Sequence, residues 1–103
     1  MQIIWDQKAI EKIKNSHTVL ELETFVVGNE TITAYCVVPA EKILNEFIQL
    51  DANKELHNVF VTALKEKNYP VCKELYEHLM GKFGGEADTF YDEIIKRIDN
   101  IAV

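Results

Sequence analysis

The chain has 103 residues, of which 48% are hydrophobic and 27% charged, a composition typical of a folded protein. This excludes a disordered chain and leaves no room for a second domain, so we expect a single globular domain over residues 1–103. The 11 basic and 17 acidic residues give a net charge of −6. Nucleic-acid binding normally requires a basic patch, and Arg97 is the one arginine, so the charge argues against direct binding to DNA or RNA.

The cysteines and the apolar runs bear on the cellular compartment. Cys36 and Cys72 lack CxxC spacing, which predicts two buried thiols in a reducing environment. The apolar run from Ile3 to Trp5 is too short for a signal segment, and no stretch approaches the ~18 apolar residues of a membrane span. We therefore expect a cytoplasmic protein that does not interact with membranes.

The first elements predicted are a short strand and a helix. Residues 2–5 are a candidate strand because they are mainly apolar and precede a helix start. Asp6 is a good N-cap for a helix with Ala9, Ile10 and Ile13 on one face.

A β-hairpin follows. Two β-rich runs, Val19–Val27 and Glu30–Val38, flank a Gly-Asn dipeptide, and a two-residue loop with glycine first is typical of a type II′ turn. This register pairs Phe25 with Ile32. It also pairs Glu23 with Ala34 and Glu21 with Cys36.

Both faces of this predicted hairpin carry apolar residues. One face has Val19, Glu21, Glu23, Phe25, Val27, Ile32, Ala34, Cys36 and Val38. The other has Leu20, Leu22, Thr24, Val26, Thr31, Thr33, Tyr35 and Val37. A hairpin with one solvent-exposed face should carry polar residues on that face. The second apolar face is therefore expected to be covered by the first helix, a second subunit or a partner.

Helical spacing accounts for the rest of the chain. Pro39 fits the start of a helix over residues 40–50, with inward-facing Ile43, Leu44, Phe47 and Ile48. Asp51 or Asn53 would cap the next helix, whose apolar stripe is Leu56, Val59, Phe60, Ala63 and Leu64. A further helix begins at Pro70 and stops at Gly84-Gly85, and the last covers residues 87–101.

The predicted fold class is therefore α+β. An N-terminal β-hairpin unit, with a candidate third short strand at residues 2–5, packs against four to five amphipathic helices. The C-terminal half is rich in helix.

No pattern predicts a catalytic residue, a metal site or a cofactor. His17, His57 and His78 have no second ligand at metal-binding spacing, and Gly84-Gly85 lacks the phosphate-loop pattern. We therefore expect a non-enzymatic protein without metal or cofactor.

Four residues form a candidate pocket nonetheless. Glu21 and Glu23 would project from one face of a strand, close enough to share a proton or an ion. With Tyr35 and His17 they could floor a cavity between hairpin and helices, as in a small-ligand-binding protein or a minor enzyme. The alternative is that the two carboxylates keep an edge strand soluble.

Five apolar residues of the hairpin form a candidate interface. If Val19, Phe25, Val27, Ile32 and Val38 stay exposed, they form an apolar patch of the kind that marks an interaction surface. The partner would be another protein or a second copy that forms a homodimer. Small acidic domains suit inhibitor, immunity-type or phage accessory roles, in which an acidic surface meets a basic partner, and this suggests a bacterial or phage origin.

Overall fold

A computed structural model describes residues 2–101. In this part of the chain three antiparallel strands form one sheet: β1 (Gln2–Ile4), β2 (Thr18–Val27) and β3 (Glu30–Val38), in the order β1-β3-β2. The candidate strand at residues 2–5 is therefore β1. Positions 1, 102 and 103 of the predicted single domain lie outside the described residues.

Four α-helices occur within residues 2–101: α1 (Gln7–Ile13), α2 (Leu50–Lys65), α3 (Tyr69–Leu79) and α4 (Asp88–Ile101). The predicted cap of α1 is confirmed, because the Asp6 carboxylate accepts a hydrogen bond from the backbone N–H of Lys8 at 2.9 Å. The sheet and the helix-rich second half confirm the α+β class.

None of the helices within residues 2–101 combines the length and the hydrophobicity that a transmembrane span requires.

The helix predicted over residues 40–50 is wrong. Two short 3-10 helices, Ala40–Lys42 and Leu44–Gln49, occupy this stretch, and α2 follows directly on Gln49 without a cap from Asp51 or Asn53. Ile43 has a φ of −120°, outside the helical range, and its side chain is buried. This break turns the next three apolar side chains out of the core, and they are exposed: Leu44, Phe47 and Ile48.

The buried face of α2 is rotated from the predicted stripe. Its buried residues are Asn53, His57, Phe60, Val61 and Ala63. Val59, predicted to face inward, is exposed. The rotation places an imidazole in the protein core, where it meets the sheet and α4.

The hairpin register is right near the turn and wrong beyond it. Phe25 pairs with Ile32 as predicted, and Gly28 has the positive φ, 64°, that a type II′ turn requires at its first position. A β-bulge then interrupts the pairing between Glu21 and Thr24, so Glu21 lies opposite Tyr35 rather than Cys36.

The bulge explains why both predicted faces were apolar. One extra residue in β2 shifts the alternation of side chains by one position, which exchanges the two faces of the strand beyond it. The inner face consequently collects residues from both predicted faces, all buried in the main core: Leu20, Leu22, Ala34, Cys36 and Val38.

The outer face is covered in part by α1. Ile10 of α1 and Val37 of β3 are both buried, but they lie outside the main core on the inner face. The Tyr35 hydroxyl donates to the Gln7 side chain at 2.7 Å. The first helix is thus the cover for this side of the sheet.

Candidate functional site

A buried histidine secures the bulge. His57 Nε2 lies 2.5 Å from the backbone oxygen of Glu21, and Nδ1 lies 2.7 Å from the Tyr91 hydroxyl. A carbonyl oxygen only accepts, so Nε2 carries the proton and donates it, while Nδ1 accepts from Tyr91. Burial lowers the pKa of His57 and raises that of Tyr91, which keeps both groups neutral. The pair holds β2 against α2 and α4.

Beyond the bulge the hairpin extends past the helices. The residues of β2 change from buried at Leu20 and Leu22 to exposed at Phe25 through Val27. The inner face of the sheet therefore continues from the core into solvent. Its apolar side chains keep their direction but become exposed, and Phe25 lies at the border with α4.

An apolar concavity of about 450 Å³ lies on this uncovered part, lined by Trp5, Phe25, Val27 and Ile32. We call these four residues the tip surface. The rings of Trp5 and Phe25 lie 6.0 Å apart, and Trp5 and Val27 are 53% and 60% exposed. Aromatic side chains that are ordered, adjacent and exposed are the groups that most often anchor an interface.

Charged residues border the tip surface on the side of α4. Arg97 donates to the Glu23 carboxylate at 2.8 Å, which raises the pKa of Arg97. These two and Glu93 line a small cleft of about 150 Å³ between the hairpin and α4. An apolar centre beside a polar rim is the ordinary anatomy of a protein–protein interface.

The structure brings three predicted interface residues together and separates the other two. Phe25, Val27 and Ile32 all belong to the tip surface. Val38 is fully buried in the core, and Val19 pairs with Val37 on the outer face.

Sequence reasoning missed Trp5. It directly follows β1, and the alternation of the strand places it on the same side as Ile3, whose partner Cys36 faces the core. A strand at residues 2–5 was predicted, but its pairing partner was not, and the pairing is what brings the indole to Phe25.

The four candidate pocket residues do not converge. The Glu21 carboxylate binds Lys65 of α2 at 2.7 Å, whereas Glu23 binds the α4 arginine. Tyr35 is tied to α1 on the outer face, and His17 lies 2.9 Å from the Ser16 hydroxyl after the end of α1. Each carboxylate has its own cation, so the pair is not arranged to share a proton or an ion. Within residues 2–101 no cluster of His, Cys, Asp or Glu is arranged to hold a metal ion.

A second apolar group lies at the opposite end of the sheet. It consists of Leu44, Phe47 and Ile48, the last of which is 98% exposed. Glu46 anchors this segment, because its two carboxylate oxygens accept from the backbone N–H groups of Phe83 and Gly84 at 2.7 and 2.8 Å. β2 separates the two apolar groups by about 30 Å at strand rise, so they are independent surfaces.

Both thiols are buried and free. Burial, with a smaller contribution from the charge of Glu86, raises the pKa of Cys36 to about 11. The pKa of Cys72 is also raised by burial. A thiol with a raised pKa is a poor nucleophile at neutral pH, so both cysteines act as small core residues.

Comparison of the chain with protein-family models, with curated proteins and with solved structures gave no match.

Proposed function

We propose that this protein is a non-catalytic protein-interaction module that binds its partner through the tip surface. The observation that carries the proposal is the cluster of Trp5, Phe25, Val27 and Ile32, an exposed apolar concavity at the border of the part of the sheet that α4 covers. Keeping such a surface in water is unfavourable by about 25 cal/mol for each Å² of apolar area. A partner that covers the surface recovers this free energy.

Three features support a binding role rather than a catalytic one. The tip surface itself has no titratable side chain. The Glu23 carboxylate at the border of the tip surface forms an ion pair with Arg97 at 2.8 Å. The surface is also held in place by the turn at Gly28 and by the bulge that His57 secures, so little conformational entropy is lost when it binds. An inhibitor, an immunity-type protein or a phage accessory protein would use a module of this kind.

The test is recovery of a complex from the native cell with matched variants. The tagged wild type, Phe25→Glu and Val59→Glu are purified in parallel, and any chain retained is then purified and titrated by calorimetry. Val59 is the control because it is an exposed aliphatic residue on α2, away from the hairpin. We expect Phe25→Glu to weaken binding at least tenfold and Val59→Glu to leave it unchanged.

A further variant, Phe47→Glu, separates the two apolar surfaces. Retention of the complex by this variant supports the assignment to the tip surface. If Phe47→Glu abolishes binding while Phe25→Glu does not, the site is at the other end of the sheet and the proposal is wrong. The proposal also fails if the wild type binds no chain, neither another protein nor itself.

A further inference from the structure

We infer that the partner at the tip surface is a second copy of this chain, joined by antiparallel pairing of the two β2 edges around a two-fold axis. This rests on the proposed function and names the partner of the same site. β2 is an edge strand in the order β1-β3-β2. An edge strand presents unpaired N–H and C=O groups, which another strand can use.

The two halves of this edge differ in their protection. Before the bulge, the Glu21 carbonyl is occupied by His57 and its side chain by Lys65. After the bulge, residues 24–27 have neither charge nor proline, and Val26 is 75% exposed. Charges, prolines and bulges are the devices that keep edges from pairing, and this stretch contains none of them.

The turn determines which groups of the open edge are free. A two-residue turn makes Val27 and Glu30 the hydrogen-bonded pair that closes the hairpin. Because hydrogen-bonding direction alternates along an antiparallel strand, Val26 and Thr24 then direct their N–H and C=O groups away from β3. These two residues provide the free donors and acceptors at the edge.

When a two-fold axis passes through Phe25, the free backbone groups of one copy face those of the other. Val26 of each copy then lies opposite Thr24 of the other, which gives four backbone hydrogen bonds. The two Phe25 side chains lie directly opposite each other on the inner face, where aromatic pairs stabilise a sheet. The two tip surfaces then lie side by side on the inner face and form one continuous apolar area. The segment is self-complementary, as an isologous interface requires.

Charge also favours this arrangement. The turn of each copy would pass the cleft of about 200 Å³ that Glu23, Lys65 and Lys67 border on the other copy. Of these three charged groups, Glu23 is already paired with Arg97 and Lys65 with Glu21. Glu30, beside the turn, and Lys67 are both exposed, and neither forms an ion pair within residues 2–101. The two-fold axis brings Glu30 of one copy toward Lys67 of the other, twice. The net charge of −6 opposes dimerisation, but the paired segment is uncharged and salt screens the distant charges.

The expected dimer is reversible. Specific interfaces bury about 1,200–2,000 Å² in total, and short strand pairing with one small apolar cluster per copy lies near the lower limit. We therefore expect a dissociation constant on the order of 10 µM.

Sedimentation velocity from about 1 to about 300 µM tests the inference. We expect the wild type to change from monomer to dimer over this range. Glu30→Lys and Lys67→Glu should each weaken dimerisation about tenfold, and the double charge-swap variant should restore it. Glu77→Lys, the same charge change at an exposed position of α3, is the control and should behave as the wild type.

A backbone variant tests the strand pairing itself. Val26→Pro removes an N–H that faces away from β3 and leaves the tip-surface side chains intact, so the hairpin should form but the dimer should not. Circular dichroism matching the wild type confirms the fold. A dimer that withstands Val26→Pro overturns the inference, as does a double charge-swap variant no stronger than either single variant.

The outcomes also separate this inference from the proposed function. A wild type that is monomeric throughout, while Phe25→Glu abolishes binding to another purified protein, overturns the inference and leaves the proposed function standing. A dimer that withstands Phe25→Glu overturns both. A dimer lost in both Phe25→Glu and Val26→Pro supports both.

Discussion

Replacing His57 with leucine should destabilise the fold by about 2–6 kcal/mol. The substitution leaves two buried groups without their partners, the Glu21 carbonyl and the Tyr91 hydroxyl. Each unsatisfied buried group costs about 1–3 kcal/mol, and leucine is close enough to histidine in size that a cavity adds little. Since small domains have only about 5–15 kcal/mol of stability, the variant should fold but unfold at a much lower urea concentration.

Urea unfolding followed by circular dichroism at about pH 7.5 measures this loss. His78→Leu is the matched control, because His78 is exposed on α3, and its stability should lie within about 0.5 kcal/mol of the wild type. If His57→Leu lowers the free energy of unfolding by less than about 1 kcal/mol, the hydrogen bonds at the bulge are not stabilising and our account of what orients the hairpin is wrong.

Three further predictions concern His57, the two cysteines and Gly84. The free energy of unfolding should fall as the pH drops below about 6.5: burial lowers the pKa of His57 in the folded state, so the unfolded chain takes up a proton that the folded chain refuses. Urea titrations should show a slope near 1.4 kcal/mol per pH unit from this group, absent in His57→Leu; an equal slope in the two proteins contradicts the assignment. Native protein should react with thiol reagents far more slowly than urea-unfolded protein, because Cys36 and Cys72 are buried. Rapid labelling of either cysteine without denaturant would contradict this burial. Gly84→Ala should lower the free energy of unfolding by about 2–4 kcal/mol, because Gly84 has a φ of 63° and a Cβ there would lie 2.5 Å from a backbone oxygen. Gly81→Ala, also at positive φ but in open space, should cost only about 1–2 kcal/mol; equal losses in urea unfolding would contradict the close approach.

Local chemistry made several elements predictable. The cap at Asp6 and the turn at Gly28 depend on one or two residues whose side chains or backbone freedom determine the conformation. The start of α3 at Tyr69 and Pro70 is of the same kind, but its predicted end at Gly84-Gly85 is wrong, because α3 ends at Leu79. None of these predictions required knowledge of tertiary contacts.

The bulge was missed although the sequence contains a sign of it. The apolar residues of β2 occupy even positions at Leu20 and Leu22 and odd positions at Phe25 and Val27. A strand with one buried face needs a single phase, so the change of phase indicates an inserted residue. Extending one register from the turn concealed this, and it placed Glu21 on the wrong face.

The helix predicted over residues 40–50 failed for a tertiary reason. Its apolar spacing suits a helix, but Ile43 leaves helical geometry to enter the core, and Glu46 is needed at the backbone N–H groups of Phe83 and Gly84. Those amides lie almost forty residues away along the chain, so no local sequence pattern predicts the contact.

The face of α2 that packs inward was misjudged because polar residues occupy it. Asn53 and His57 share this face with Phe60 and Val61 at i, i+4, i+7 and i+8 spacing. Counting only apolar residues favoured the stripe through Val59. The imidazole is buried because Glu21 and Tyr91 satisfy it, and both lie far from it in sequence.

The fluorescence of Trp5 offers the most direct test of the central claim that binding occurs at the tip surface. Trp5 is the one tryptophan, is 53% exposed and packs against Phe25, so its emission reports on this surface alone. In a complex with another protein that covers the tip surface, we predict a blue-shifted emission and reduced quenching by acrylamide. Such a complex forming without a change in the emission or the quenching of Trp5 would contradict the account.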